Sequence, residues 1–212
     1  MTVRRVVLAT GNPHKVDEVQ AILGDAWHVV GREPRVEETG GTFEENALLK
    51  ARAVAGATGE LAIADDSGIE IDALGGAPGV ASARWTAEGD WIPRVLRELA
   101  GTPPEARGCR YVCAAAAVWP SPGAPPEPAA GDRRGGGEVP PAHGGREIVV
   151  RGVVEGRVAE APRGTGGFGY DPVMIPIEGD GRTFAEMSAA EKHALSHRGR
   201  AFRELVRHLA GR

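Results

Sequence analysis

The apolar run Leu61-Ala62-Ile63-Ala64 leads directly into Asp65-Asp66-Ser67-Gly68. Its length and flanking read as a strand that delivers two carboxylates, a hydroxyl and a glycine at its end. In α/β proteins ligands bind outside the carboxyl ends of strands, so this is where chemistry is expected. Adjacent side chains on a strand point to opposite faces, so one aspartate aims into a given pocket. The other is left as a second ligand or an orienting group. A paired acidic strand end suits a hard cation, because Mg²⁺ takes one or two carboxylates together with substrate phosphates. A polar turn after a strand is the plainer reading of the same residues.

The rest of the chain alternates strands and helices, which argues for the α/β class. Val6-Val7-Leu8-Ala9 reads as a buried strand ending at Thr10-Gly11-Asn12, and Pro13 to Leu23 follows with helical spacing of Val16, Val19, Ile22 and Leu23. Thr42 and Glu45 have the spacing of a capping box, and Phe43, Ala47, Ala51 and Val54 continue one apolar stripe. After strand 61–64 comes a second strand-like run, Ile69 to Ala73, then the Gly75-Gly76-Ala77-Pro78-Gly79 loop. Ile92 to Leu99 reads as a short helix. Cys109 to Trp119 and Glu147 to Val158 read as strands, the second open to a break near Gly152 or Gly156. In Pro120 to Arg146, 14 of 27 residues are Pro or Gly. Such a stretch buries too little surface to offset its ordering entropy and is expected to be a mobile insertion. A last helix carries Ala201, Phe202, Leu205, Val206 and Leu209 on one face.

A length of 212 residues and 42% hydrophobic content fit one domain with a core. The formal charge of −4 offers no global attraction to nucleic acid or an anionic membrane, so any phosphate affinity must be local. There is no long apolar run and no leader pattern, so a soluble, unprocessed chain is expected. Cys109 and Cys113 make neither a disulfide framework nor a zinc site and read as buried thiols of a reducing cytoplasm.

Several segments carry groups suited to a phosphorylated ligand. Thr10-Gly11-Asn12-Pro13-His14-Lys15 joins a strand to a helix N-terminus, where free N–H groups and the helix dipole favour an anion. Lys50 falls about 20° from Phe43 and about 40° from Val54 on a helical wheel, inside the apolar stripe, with Asn46 one turn earlier. Either it snorkels out along its stem or it points at an anion. Glu37-Glu38-Thr39-Gly40-Gly41 reads either as an exposed acidic pair, the usual explanation, or as offering a carboxylate to join Asp66 around a metal. Gly164-Thr165-Gly166-Gly167-Phe168-Gly169-Tyr170-Asp171-Pro172 interleaves glycines for close approach, aromatic faces and an acid able to accept from base N–H groups. Glu191-Lys192 and Ser196-His197-Arg198-Gly199 place three potentially cationic groups near the last helix. Acids for a metal, lysines for phosphates and an aromatic loop for a base form the inventory of a nucleotide polyphosphate hydrolase.

Five segments in order, LATGNPHKVDEV, EETGGTFEENALLKA, IADDSGIEIDALGGAPGVASARW, GTGGFGYDPVMIP and TFAEMSAAEKHALSHRGRAF, resemble the inosine/xanthosine triphosphate pyrophosphatases over nearly the whole chain. These enzymes hydrolyse deaminated purine nucleoside triphosphates to the monophosphate and pyrophosphate, cleansing the nucleotide pool. Segment 120–146 departs from the family in being longer. The resemblance implies an elongated mixed sheet flanked by helices, with two lobes and a central cleft. It also implies Mg²⁺ as cofactor, a cytoplasmic homodimer, and neither stable nucleic-acid binding nor membrane attachment. Thr10, Gly11, Asn12, Pro13, His14 and Lys15 would cradle the triphosphate, and Lys50 would bind phosphate and polarise the centre attacked. Asp66 would be general base and metal ligand, with Glu38 a second ligand and Asp65 nearby. Ser67 would touch substrate; Phe168, Gly169, Tyr170 and Asp171 would hold the base, with Lys192, His197 and Arg198 completing the pocket.

Selectivity is expected from the purine 6-position, where hypoxanthine and xanthine carry a keto oxygen and adenine an amino group. Rejection of guanine must then act through the 2-position. Two competing readings are a pyrophosphatase for modified pyrimidine or methylated nucleotides, and a non-catalytic nucleotide- or RNA-binding protein using the basic last helix.

Overall fold

The computed structural model describes residues 3–86, 89–121 and 145–210. Six strands form one open mixed sheet in the order β2-β1-β3-β4-β5-β6, accompanied by five α-helices among the described residues, as the α/β reading requires. The chain divides into two compact units. One draws on Met1–Asp65, Ala115–Val150 and Phe202–Arg212, the other on Asp66–Ala114 and Arg151–Ala201.

The first unit opens with β1 (Arg4–Ala9), α1 (Pro13–Leu23), β2 (Trp27–Arg32) and α2 (Phe43–Thr58), and then enters β3 (Ala62–Ile71). Pro13 supplies the first helical residue of α1, and the Asn12 side chain accepts from His14 N at 3.0 Å, satisfying an N–H that the helix itself leaves unbonded. At the start of α2 the capping box is complete: Thr42 Oγ1 accepts from Glu45 N at 3.1 Å, and Thr42 N donates to Glu45 Oε2 at 3.2 Å. Phe43, Ala47, Ala51 and Val54 are all buried, as their spacing demands. β1 pairs in parallel with β2 and with β3, the latter through Val7–Ala62 and Leu8–Ile63.

That register corrects the expectation of two short strands. Residues 62–71 form one strand, and Asp65 to Gly68 lie inside it rather than after it. β1 ends at Ala9, just past the Leu8–Ile63 pair, so β3 outruns it and Asp65 stands beyond the carboxyl end of β1. The strand end that the acids flank belongs to the neighbouring strand β1. β2 was not expected from the sequence either.

The second unit holds the remainder of β3, α3 (Trp91–Glu98), parts of β4 (Gly108–Val118) and β5 (Glu147–Val158), β6 (Met174–Pro176), α4 (Ala189–Leu195) and the start of α5 (His197–Ala210). Ile69, Ile71, Val95, Leu99, Tyr111, Val154, Met174 and Phe184 are among its core. β5 is continuous through Gly152 and Gly156, and β6 pairs with it antiparallel. Gly152 marks a close approach instead of a break: a Cβ there would lie 2.2 Å from His197 O and 2.5 Å from Ala201 N.

Most of the expected insertion, 122–144, lies outside the described residues. Its flanks meet: Trp119 N donates to Arg146 O at 3.0 Å, and the Arg146 guanidinium sits 4.5 Å from the centre of the Trp119 ring. Among the described residues no helix is long and apolar enough to cross a membrane.

Candidate active site

In the first unit, two lysines meet two acids. Lys15, in the first turn of α1, donates to both carboxylate oxygens of Asp65 at 3.1 Å. Asp65 is almost wholly buried, so its charge requires such a partner. Lys50 resolves the ambiguity of its place in the apolar stripe: it is buried, and its Nζ donates to Glu38 Oε1 at 3.0 Å. Asn46, also buried, accepts from Gly40 N at 2.8 Å, tying the acidic turn to α2. Thr10 is half-buried and its Oγ1 accepts from Asn12 N at 3.1 Å, while Gly11, Asn12, Pro13 and His14 are exposed beside it. A helix N-terminus with accessible residues and a lysine one turn in can take a phosphate group.

The second unit gathers the residues expected to meet a base. Asp171, 2% exposed, is the hub. Its Oδ2 accepts from Lys192 Nζ at 2.5 Å and from Phe168 N at 2.7 Å, and its Oδ1 from the Tyr111 hydroxyl at 3.3 Å. Gly167 makes this closure feasible: its φ is +71°, and a Cβ on it would lie 2.1 Å from Asp171 Oδ2. The Phe168 ring is 61% exposed, with Lys192 Nζ 4.3 Å and the Arg198 guanidinium 5.8 Å from its centre. Arg198 and His197 are themselves buried at the start of α5. An exposed aromatic face flanked by cations can serve as a stacking platform for a base.

Tyr170 behaves differently from Phe168. Its ring belongs to the core, tilted against Trp91 with centroids 5.9 Å apart, and its hydroxyl donates to Ser82 O at 2.9 Å. Burial pushes that phenol's pKa well up. Any contribution of Tyr170 or Gly169 to a ligand therefore falls to the backbone. Sequence reasoning missed Tyr111, which lies mid-strand in β4 with no local pattern to distinguish it from core.

In β3, Asp66 is buried and Ser67 half-buried. Among the described residues no three His, Cys, Asp or Glu side chains gather into a ready cage. The available donors are hard carboxylate oxygens, which fit a cation that draws its remaining ligands from water and phosphate. They do not fit a closed zinc site. Cys109 and Cys113 are both buried.

The Ham1 family model matches residues 6–208. The dITP/XTP pyrophosphatase of Symbiobacterium thermophilum is 46% identical over 215 residues, covering 99% of this chain and 96% of that protein. The Streptomyces coelicolor protein of the same name is 46% identical, covering 95% of each chain. Among solved structures, a HAM1 protein from Coxiella burnetii superposes with a TM-score of 0.80 at 35% identity, over 99% of this chain and 100% of that one. The Mycobacterium abscessus dITP/XTP pyrophosphatase superposes with a TM-score of 0.70 at 38% identity, over 95% and 98%.

Proposed function

The chain belongs to the Ham1 family, and from that premise we propose that it hydrolyses deaminated purine nucleoside triphosphates, ITP, dITP, XTP and dXTP, to the monophosphate and pyrophosphate. Near-full-length likeness to dITP/XTP pyrophosphatases carries this reading. The chemistry of the residues supports it. The turn Thr10 to Lys15 and Lys50 take the triphosphate. Phe168 stacks on the base, and His197 and Arg198 donate to its 6-keto oxygen.

Asp66 accepts a proton from water as the water oxygen bonds to phosphorus. The anhydride bridge between the α- and β-phosphates breaks, and pyrophosphate leaves. Lys15 and Lys50 stabilise the charge that builds on the phosphate oxygens. A divalent cation, Mg²⁺ in this proposal, would be held by Asp66 with Glu38, and when bound supplies charge neutralisation and positions the water. A donor aimed at a 6-keto oxygen is left unpaired against the amino group of adenine, which penalises ATP. A cytoplasmic homodimer completes the proposal, and light scattering of the purified protein checks the dimer.

The test is hydrolysis of ITP, XTP and their deoxy forms beside ATP and GTP with Mg²⁺, with pyrophosphate and orthophosphate distinguished. Fast pyrophosphate release from ITP and XTP, with ATP and GTP nearly untouched, is expected. Orthophosphate release, or turnover of other bases only, refutes the substrate assignment. Salt-sensitive RNA binding without any turnover would replace it with the binding-protein reading.

A further inference from the structure

Resting on the assignment of the glycine-rich loop, His197 and Arg198 to the base, we propose that Tyr111 is a positioning residue for base recognition. It acts through Asp171, Phe184 and His197 and touches no substrate itself. Its hydroxyl donates to Asp171 Oδ1 at 3.3 Å, while Oδ2 of the same carboxylate holds Lys192 Nζ and Phe168 N. One carboxylate thus aligns the stacking residue and its cation, and Tyr111 fixes the rotation of that carboxylate. Burial and the neighbouring Asp171 charge hold the phenol's pKa well above its ordinary value, so it remains a proton donor at working pH.

The ring does a second job. On Phe184 it is stacked, with centroids 5.7 Å apart and planes 13° apart, and it meets the His197 imidazole at 4.7 Å and 39°. Phe184 begins the turn Phe184–Glu186, which is bonded to the base loop twice: Ala185 N donates to Asp171 O at 3.2 Å, and Gly166 N donates to Ala185 O at 3.0 Å. Tyr111 therefore braces the loop through its hydroxyl and through Phe184, and it braces His197 directly. The distance between a stacking ring and a keto-reading donor sets which purine fits, and one rigid strand residue holds both. A phenylalanine in its place fills nearly the same volume but leaves Asp171 Oδ1 without this donor.

Tyr111→Phe separates the positioning role from plain core packing. Titration calorimetry with Mg²⁺ measures IMP binding and inorganic tripolyphosphate binding separately, and steady-state kinetics measure kcat/KM for ITP and GTP. IMP binding should weaken about three- to tenfold, the range expected for one hydrogen bond, with tripolyphosphate binding unchanged. The ITP-to-GTP ratio of kcat/KM should fall by a similar factor, carried by KM. Equal weakening toward IMP and tripolyphosphate, or an unmoved ratio despite a lower Tm, would return Tyr111 to an ordinary core role. Wild-type protein that binds no IMP and turns over no ITP defeats the base assignment and this proposal together. A wild type selective for ITP beside a Tyr111→Phe variant of equal selectivity defeats the proposal alone.

Discussion

Truncating Phe168 to alanine separates a ligand platform from a packing residue. The ring is 61% exposed, so its removal leaves no cavity in the core. What the fold loses is the pair of cation–ring contacts to Lys192 and Arg198, at 4.3 Å and 5.8 Å. Such contacts at exposed sites are worth about 0.5–1 kcal/mol each. Lys192 keeps its ion pair with Asp171, so the net loss should be near the lower end, about 1 kcal/mol. In a chain of this size that lowers Tm by roughly 2–4 °C. Losing the stack on a base costs about 1–3 kcal/mol, which at 1.36 kcal/mol per tenfold is about 5- to 150-fold in kcat/KM. Stacking is equally present in ground and transition states, so the loss should appear as a raised KM with kcat nearly constant. Steady-state kinetics with ITP and XTP, beside a melting curve, measure both. A kcat/KM within twofold of wild type, or a fall confined to kcat, refutes the platform.

Asp66→Asn should lower kcat by orders of magnitude with Tm close to wild type, since the amide keeps the shape but not the basicity; near-normal turnover removes Asp66 as base. Lys50→Met keeps the buried stem and removes the charge, and kcat should fall about 10²- to 10³-fold, as for loss of one preorganised transition-state donor. A large drop in Tm with activity retained would make Lys50 structural. The Cys109 thiol is pushed up to about 12, chiefly by burial and then by the charges of Asp72 and Glu155. Its contribution to stability is complete below the ordinary thiol value of 9.0 and is lost as pH rises through about 12. Tm should therefore fall between pH 9 and 11 more steeply in wild type than in Cys109→Ala, and equal slopes would refute the assignment.

Residues whose chemistry conflicts with their local pattern were the ones legible in the sequence. Lys50 stood out because a lysine has no reason to interrupt an apolar stripe unless a charge or a ligand awaits it, and the structure supplies Glu38. Asp65 and Asp66 stood out against the apolar run before them, yet their placement within β3 was not readable. Strand length depends on a neighbour's register, and that register is a long-range property. β2 and β6 escaped for the same reason, β6 being only three residues long. The exposed Phe168 and the buried Tyr170 looked equivalent in sequence, because two aromatics in one glycine-rich loop carry no sign of which one folds inward. Tyr111 was invisible: a tyrosine in a buried strand matches its pattern, and its relation to Asp171 spans 60 positions.

The way the lysines are held decides how their mutants must be read. Lys192 and Asp171 are buried together, with side chains 11% and 3% exposed, so neutralising either one strands a charge in a low-dielectric interior. Breaking such a pair costs about 3–5 kcal/mol, enough for an activity loss in Lys192→Met to report misfolding as readily as lost recognition. Lys50 pairs with a carboxylate that is 30% exposed, and water can take over the solvation of Glu38 when the ammonium is removed. The same class of substitution therefore probes chemistry at Lys50 and stability at Lys192. A role for Lys192 at the base has to rest on a split between IMP and tripolyphosphate binding in the folded variant, because only that comparison is indifferent to the cost of the stranded Asp171.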